Sequence, residues 1–82
     1  MQTLFIDGSQ YEHGRELHMA IKRLLHLPEH YGCNADALYD CLSSRKETVN
    51  LCILAYGSDE VAVALRKCAA VIEDLDGSVK EF

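Results

Sequence analysis

Apolar residues recur along this chain in blocks whose period changes. Leu4, Phe5 and Ile6 form a short run closed by Asp7-Gly8-Ser9, the pattern of a strand followed by a turn. Leu17, Ala20, Ile21, Leu24 and Leu25 then fall at helical spacing, flanked by Lys22, Arg23 and His26. This predicts an amphipathic helix over residues 15–26, with Gly14 as its N-cap. Leu27-Pro28 should end it, because the residue before a proline is pushed out of the helical region. Pro28 fits the first turn of a short second helix leading to Tyr31-Gly32, with Gly32 left-handed at its close. Asn34 is a good N-cap for a helix over residues 35–43.

The run from Thr48 through Leu51, Cys52, Ile53 and Leu54 to Ala55 is nearly continuous and apolar, as expected of a central strand covered on both faces. Ser58 then caps a helix whose first turn carries Asp59 and Glu60, where the dipole favours acids. Val61, Leu65, Cys68, Ala69, Ile72 and Leu75 form its buried stripe, and Asp76-Gly77 stops it. Residues 78–82 suit a last short strand, weakened by Lys80 and Glu81. The order strand, helices, strand, helix, strand implies an α/β fold, one domain over residues 1–82, with a three-stranded parallel sheet and right-handed crossovers.

Charge narrows the functional classes. Thirteen acids against eight Lys and Arg give a net charge of −5 over 82 residues. That balance repels nucleic acid and anionic lipid and suits a basic protein partner. No apolar run reaches the roughly 20 residues of a membrane span, and the N-terminus lacks the basic head and apolar stretch of a secretory signal. A cytoplasmic location is therefore expected, and with it four reduced thiols, Cys33, Cys41, Cys52 and Cys68, mostly buried.

The helix over residues 35–43 holds the candidate chemistry. Leu38, Cys41 and Leu42 share a face suited to the core, while Asp36, Tyr39, Asp40 and Ser43 share another. A tyrosine with two carboxylates on one exposed face can bind a basic protein, since the ring gives contact area at low entropy cost and the acids give charge. The same spacing also suits a helix face that is merely solvated. Other constellations are poorer. His26, His30 and Cys33 are separated by Pro28 and have no fourth metal ligand at suitable spacing. Asp74-Leu75-Asp76-Gly77-Ser78 begins like a calcium loop without its distal Glu. His30 beside Asp36 or Asp40 can be drawn as an acid–base pair, yet no nucleophile arrangement, phosphate loop or cofactor motif accompanies it. The expectation is a binding protein with no cofactor, monomeric when free, and not an enzyme.

The segment Leu27-Pro28-Glu29-His30-Tyr31-Gly32-Cys33-Asn34-Ala35-Asp36-Ala37-Leu38-Tyr39-Asp40-Cys41-Leu42 closely resembles the signature of the barstar family, intracellular inhibitors of the secreted ribonuclease barnase. Leu17-His18 and Lys22-Arg23 fit upstream. The resemblance implies a three-stranded parallel sheet packed with a single layer of helices, plus an inhibitory helix and loop that plug a ribonuclease active site. By it, Asp40 takes the place of an RNA phosphate and Asp36 pairs with a nearby basic residue. His30 stands where the family has a tyrosine, and Tyr39 where it has a tryptophan. Gly32 and Asn34 supply a close backbone contact and a polar contact, Ser43 completes the face, and Glu73 is the candidate for a further acidic contact on the last long helix. Arg45-Lys46 depart from the family's aromatic and apolar stretch and put positive charge beside the acidic patch. The alternative partner is therefore a non-ribonuclease bound by the same fold as an immunity or regulatory module.

Overall fold

The computed structural model describes residues 2–45 and 48–82. Strand β1 (Gln2–Asp7) leads through a 3-10 turn (Gly8–Gln10) into helix α1 (Gly14–Leu25). Helix α2 (Ala35–Ser43), strand β2 (Val49–Ala55), helix α3 (Asp59–Asp74) and strand β3 (Ser78–Glu81) follow. The sheet has the order β1-β2-β3, with both pairs parallel. This is the α/β fold that the order of elements predicts, and β3 forms despite its charged residues.

One part of that expectation fails in an informative way. With strands in the order 1-2-3 and right-handed crossovers, both helical connections fall on the same side of the sheet. Leu4, Ile6, Val49, Leu51 and Ile53 point to that side and are buried against Leu17, Ile21, Leu38, Leu65 and Ile72. The other side is open, with Phe5 62% and Leu54 47% exposed. β2 is therefore central within the sheet but not covered on both faces. Its continuous apolar run misleads because Cys52 is shielded in its own row, between Phe5 and Lys80 in register, without any helix above it.

The helix ends differ in detail from the sequence reading. α1 starts at Gly14 with His13 as N-cap, not Gly14, and the Glu16 carboxylate accepts the His13 and Glu12 N–H groups at 2.9 and 3.0 Å. Leu24 lies outside the buried stripe at 45% exposure. Pro28 opens a single turn closed by the Tyr31 N–H on the Pro28 carbonyl at 3.0 Å, and no second helix forms there. At the far end of α3, Asp76 is left-handed at φ 66° and the Gly77 N–H donates to the Ile72 carbonyl at 2.8 Å. Gly77 is required here because a Cβ would run into the Val49 carbonyl and the Ile72 side chain. That contact is what lets β3 start directly beside β2.

The cysteines are all free thiols, as expected, but only Cys52 and Cys68 are buried. Cys33 and Cys41 are half-buried, Cys33 in the loop before the helix Ala35–Ser43 and Cys41 at the border of that helix's inner face. No helix among the described residues is long and apolar enough to cross a membrane.

Candidate functional site

α2 and the loop before it are held by side chains that point inward, which leaves the outer face free. Leu38 and Leu42 bury one side of α2 in the core. Asn34 caps it, its Oδ1 accepting the Ala37 N–H at 2.7 Å, while its Nδ2 donates to the Gly32 carbonyl at 3.3 Å. A capping side chain of this kind contributes about 1 kcal/mol to the helix. The loop reverses at Cys33, which takes the left-handed conformation (φ 55°) expected of Gly32. Gly32 is not left-handed; it keeps the loop close to α2 instead, because a Cβ there would press on the Ala37 Cβ at 3.3 Å.

A buried polar chain fastens this loop to the core. Tyr31 Oη lies 2.6 Å from His18 Nδ1 and 3.5 Å from the Asn34 carbonyl, and Cys68 Sγ lies 3.9 Å from His18 Nε2. One proton order gives every contact a donor and an acceptor. Cys68 S–H donates to His18 Nε2, His18 Nδ1–H donates to Tyr31 Oη, and Tyr31 O–H donates to Asn34. Burial favours the neutral form of all three groups. It lowers the His18 pKa, raises that of Tyr31, and pushes the Cys68 thiol up to about 12. Four elements thus meet in one chain of hydrogen bonds: α1, the loop before α2, the start of α2, and α3.

This chain has a pH signature. The folded protein binds a proton at His18 more weakly than the unfolded chain, whose imidazole titrates near 6.5. Its contribution is therefore complete above that pH and is lost as the pH falls below it, until the depressed folded value is reached. Urea midpoints should fall between pH 7.5 and pH 5. A His18→Gln variant, less stable at pH 7.5, should lose less over the same interval. An equal loss in both proteins would show that His18 is not the responsible group.

On the outer surface, Asp36, Tyr39, Asp40 and Ser43 are all exposed along α2, as their spacing predicts. His30, Gly32 and Asn34 are exposed on the adjoining loop, so seven of the eight residues named from the sequence share α2 and its approach. Neither carboxylate of α2 is used in an ion pair among the described residues. Arg45 is drawn back from this face: its Nη2 donates to the His26 carbonyl at 2.9 Å, capping the end of α1. Lys46 lies outside the described residues.

Glu73 stands elsewhere. With Arg66 and Ala69 it lines a groove on the β3 side of α3, together with Tyr56, Val79 and Glu81. There the Tyr56 hydroxyl donates to Glu81, which raises the tyrosine pKa, and the Arg66 guanidinium lies 5.0 Å over the Tyr56 ring. The opposite flank of α3 is the one that meets the loop before α2. Val63, Ala64 and Lys67 line a groove of about 540 Å³ with Cys33, Asn34 and Asp36. Continued along the helix, Val63 and Lys67 lead to Ala70 and Asp74, at positions i, i+4, i+7 and i+11. Asp74 is exposed and continues this stripe at the far end of α3. The stripe was available in the sequence. It could not be assigned a side until the fold showed which flank of α3 faces α2.

Among the described residues no group of His, Cys, Asp and Glu could hold a metal, and His26 is separated from Cys33 by the turn at Pro28.

A family model described as Barstar (barnase inhibitor) matches residues 1–81. "Putative ribonuclease inhibitor YrdF" of Bacillus subtilis (strain 168) is 44% identical over 43 residues, which are 52% of this chain and 47% of that protein. The match thus spans about half the length of this relative.

Proposed function

Because the chain belongs to the barstar family, we propose that it is a protein inhibitor that blocks the active site of a basic ribonuclease with α2 and the preceding loop. The observation that carries this reading is the pair Asp36 and Asp40 with Tyr39: two carboxylates without an ion pair among the described residues and one ring, on a helix whose other face is locked into the core. A ribonuclease cleft binds phosphates with cationic side chains. A rigid surface that presents carboxylates in their place competes with the substrate by charge. Opposite net charges also speed the encounter. Asp40 is the anchor and Asp36 a second ionic contact. His30 and Tyr39 supply contact area, and Gly32, Asn34 and Ser43 close backbone and polar contacts. The related protein described as a ribonuclease inhibitor supports the same reading.

Asp74, on the flank of α3 beside α2, is the acidic contact on that helix, and Glu73, on the opposite flank, is peripheral. Titrating a barnase-type ribonuclease with this protein should abolish RNA cleavage at one equivalent. Asp74→Ala should weaken inhibition several-fold, and Glu73→Ala should leave it within about twofold. The reverse order would return the contact to Glu73. No inhibition at micromolar concentration would remove this class of partner.

A second reading keeps the surface and changes the target: the fold serves as an immunity or regulatory module for another basic protein. The observation that favours it is the imidazole of His30 and the phenol of Tyr39 where the family has larger aromatics. Capture from the native cell with Asp40→Ala as control separates the two, because a captured protein without nuclease activity supports the second.

A further inference from the structure

We propose that the open face of the sheet is the interface of a homodimer, in which a second copy of this chain supplies the cover that the helices leave off. All-parallel sheets are almost always covered on both faces, because their crossover helices cover both. Here both crossovers return to one side, and the other side carries Phe5, Leu54 and Phe82 at 62%, 47% and 76% exposure. The free monomer expected from the sequence would leave this face in water.

The face is laid out in register. Thr3, Asn50 and Ser78 form one row across the three strands, and Phe5, Cys52 and Lys80 the next. Leu54 and Phe82 stand beyond them, on strands joined by the Phe82 N–H donating to the Ile53 carbonyl at 3.0 Å.

Two features choose a second copy as the occupant. The first is charge. Asp7 and Lys80 are the charged residues at the outward positions of the three strands, so the face is formally neutral on a chain of net charge −5. Asp7 is turned into the next turn, where it accepts the Ser9 N–H at 3.0 Å, and Lys80 makes no ion pair among the described residues. A basic partner would meet Lys80 here and finds free carboxylates on α2 instead. Two acidic copies, by contrast, meet where they repel least. The second feature is size. At roughly 200 Å² for a whole aromatic side chain, Phe5, Leu54 and Phe82 alone expose about 350 Å² of apolar surface. With Thr3, Ser78 and Lys80 the face offers roughly 600 Å² per copy, and the resulting total of about 1,200 Å² fits a reversible dimer.

A two-fold axis along β2 makes the contact self-complementary. It sets Phe5 of each copy against Lys80 of the other, a cation–π contact made twice, and Leu54 against Leu54. The polar row of Thr3, Asn50 and Ser78 then lies at the wet end of the interface. The helices stay on the outside, so α2 of both copies remains free to bind.

Sedimentation of the full chain between about 1 μM and 1 mM should show a monomer–dimer equilibrium with a dissociation constant of roughly 10–100 μM. Leu54→Lys adds one positive charge and moves the net charge from −5 to −4, which by itself should favour association. The expected result is the opposite: two unpaired cations would be buried against each other, and dimerisation should weaken roughly tenfold or more. Leu24→Lys makes the same charge change at a leucine of similar exposure (45%) on α1 and should leave the dimer intact. Phe5→Ala should weaken it several-fold, and serves if Leu54→Lys misfolds. A chain that stays monomeric up to about 1 mM overturns the proposal. A dimer equally tolerant of Leu54→Lys and Leu24→Lys does the same. So does a free monomer whose ribonuclease binding is weakened by Leu54→Lys, a result that would assign the face to the enzyme.

Discussion

Asp40→Ala should lower affinity for a barnase-type ribonuclease by about 30-fold to several thousand-fold while leaving the melting temperature unchanged. Both halves follow from where the side chain stands. Asp40 is exposed on α2, and its carboxylate makes no ion pair among the described residues. Its removal therefore costs the free protein nothing that packing or pairing supplies. In the complex the carboxylate would lie desolvated among cationic groups. Truncating one partner of such a pair costs about 2–5 kcal/mol, because the opposing charges are left buried without a counter-ion. Asp40→Asn is the informative companion. It keeps the shape and some hydrogen bonding but removes the charge, so it should recover little of the loss. Calorimetric titration and thermal denaturation of the same preparations decide the matter. Wild-type affinity in Asp40→Ala would end the charge-mimicry mechanism. A fall in melting temperature equal to the fall in binding would turn Asp40 into a structural residue.

The second large effect separates stability from binding at adjacent positions. Leu38 is fully buried, while Tyr39, the next residue, is 44% exposed. Leu38→Ala removes methyl groups from a fully buried core site beneath α2, which packs on α3, and leaves a cavity. Substitutions of this kind cost about 2–5 kcal/mol. For a domain this small that is a large fraction of the whole stability, so the urea midpoint should fall steeply. Tyr39→Ala should barely move the midpoint and should instead weaken ribonuclease binding by roughly tenfold or more, as expected for an aromatic anchor at an interface. A Leu38→Ala midpoint within experimental error of the parent would contradict the burial of α2. Tyr39→Ala binding equal to the parent would place the ring outside the contact.

Much of the fold was legible because its period changes are sharp. The bounds of α2 follow from the Asn34 cap and the spacing of Leu38 and Leu42, and the structure has the same bounds. Local signals fail where the deciding partner is far away in sequence. Gly14 is not the cap of α1: His13 takes that place, extended and with its N–H held by Glu16, while the Gly14 N–H is claimed by Glu60 on α3. The apolar run of β2 looks doubly covered, but coverage depends on the side to which two separate crossovers return. The left-handed residue of the docking loop is Cys33 rather than Gly32, since Gly32 is needed for its lack of a side chain against Ala37. For the site, the acidic face of α2 could be read from spacing, and its meaning from the segment that resembles the barstar family. The α3 contribution could not, since choosing between Glu73 and Asp74 requires knowing which flank of that helix meets α2.

The all-parallel sheet also sets the order in which this molecule can assemble. Gln2 pairs with Val49 and Asn50 with Ser78, partners 47 and 28 residues apart along the chain. No hairpin is available to start the sheet, so each pairing must close a long loop before any ladder bond rewards it. The shorter loop lies between β2 and β3, and α3, which spans it, packs against both strands. The unit β2-α3-β3 therefore closes at lower entropic cost than the pairing of β1 with β2. Destabilising the inner face of α3 should slow the appearance of the sheet as well as weaken the finished protein.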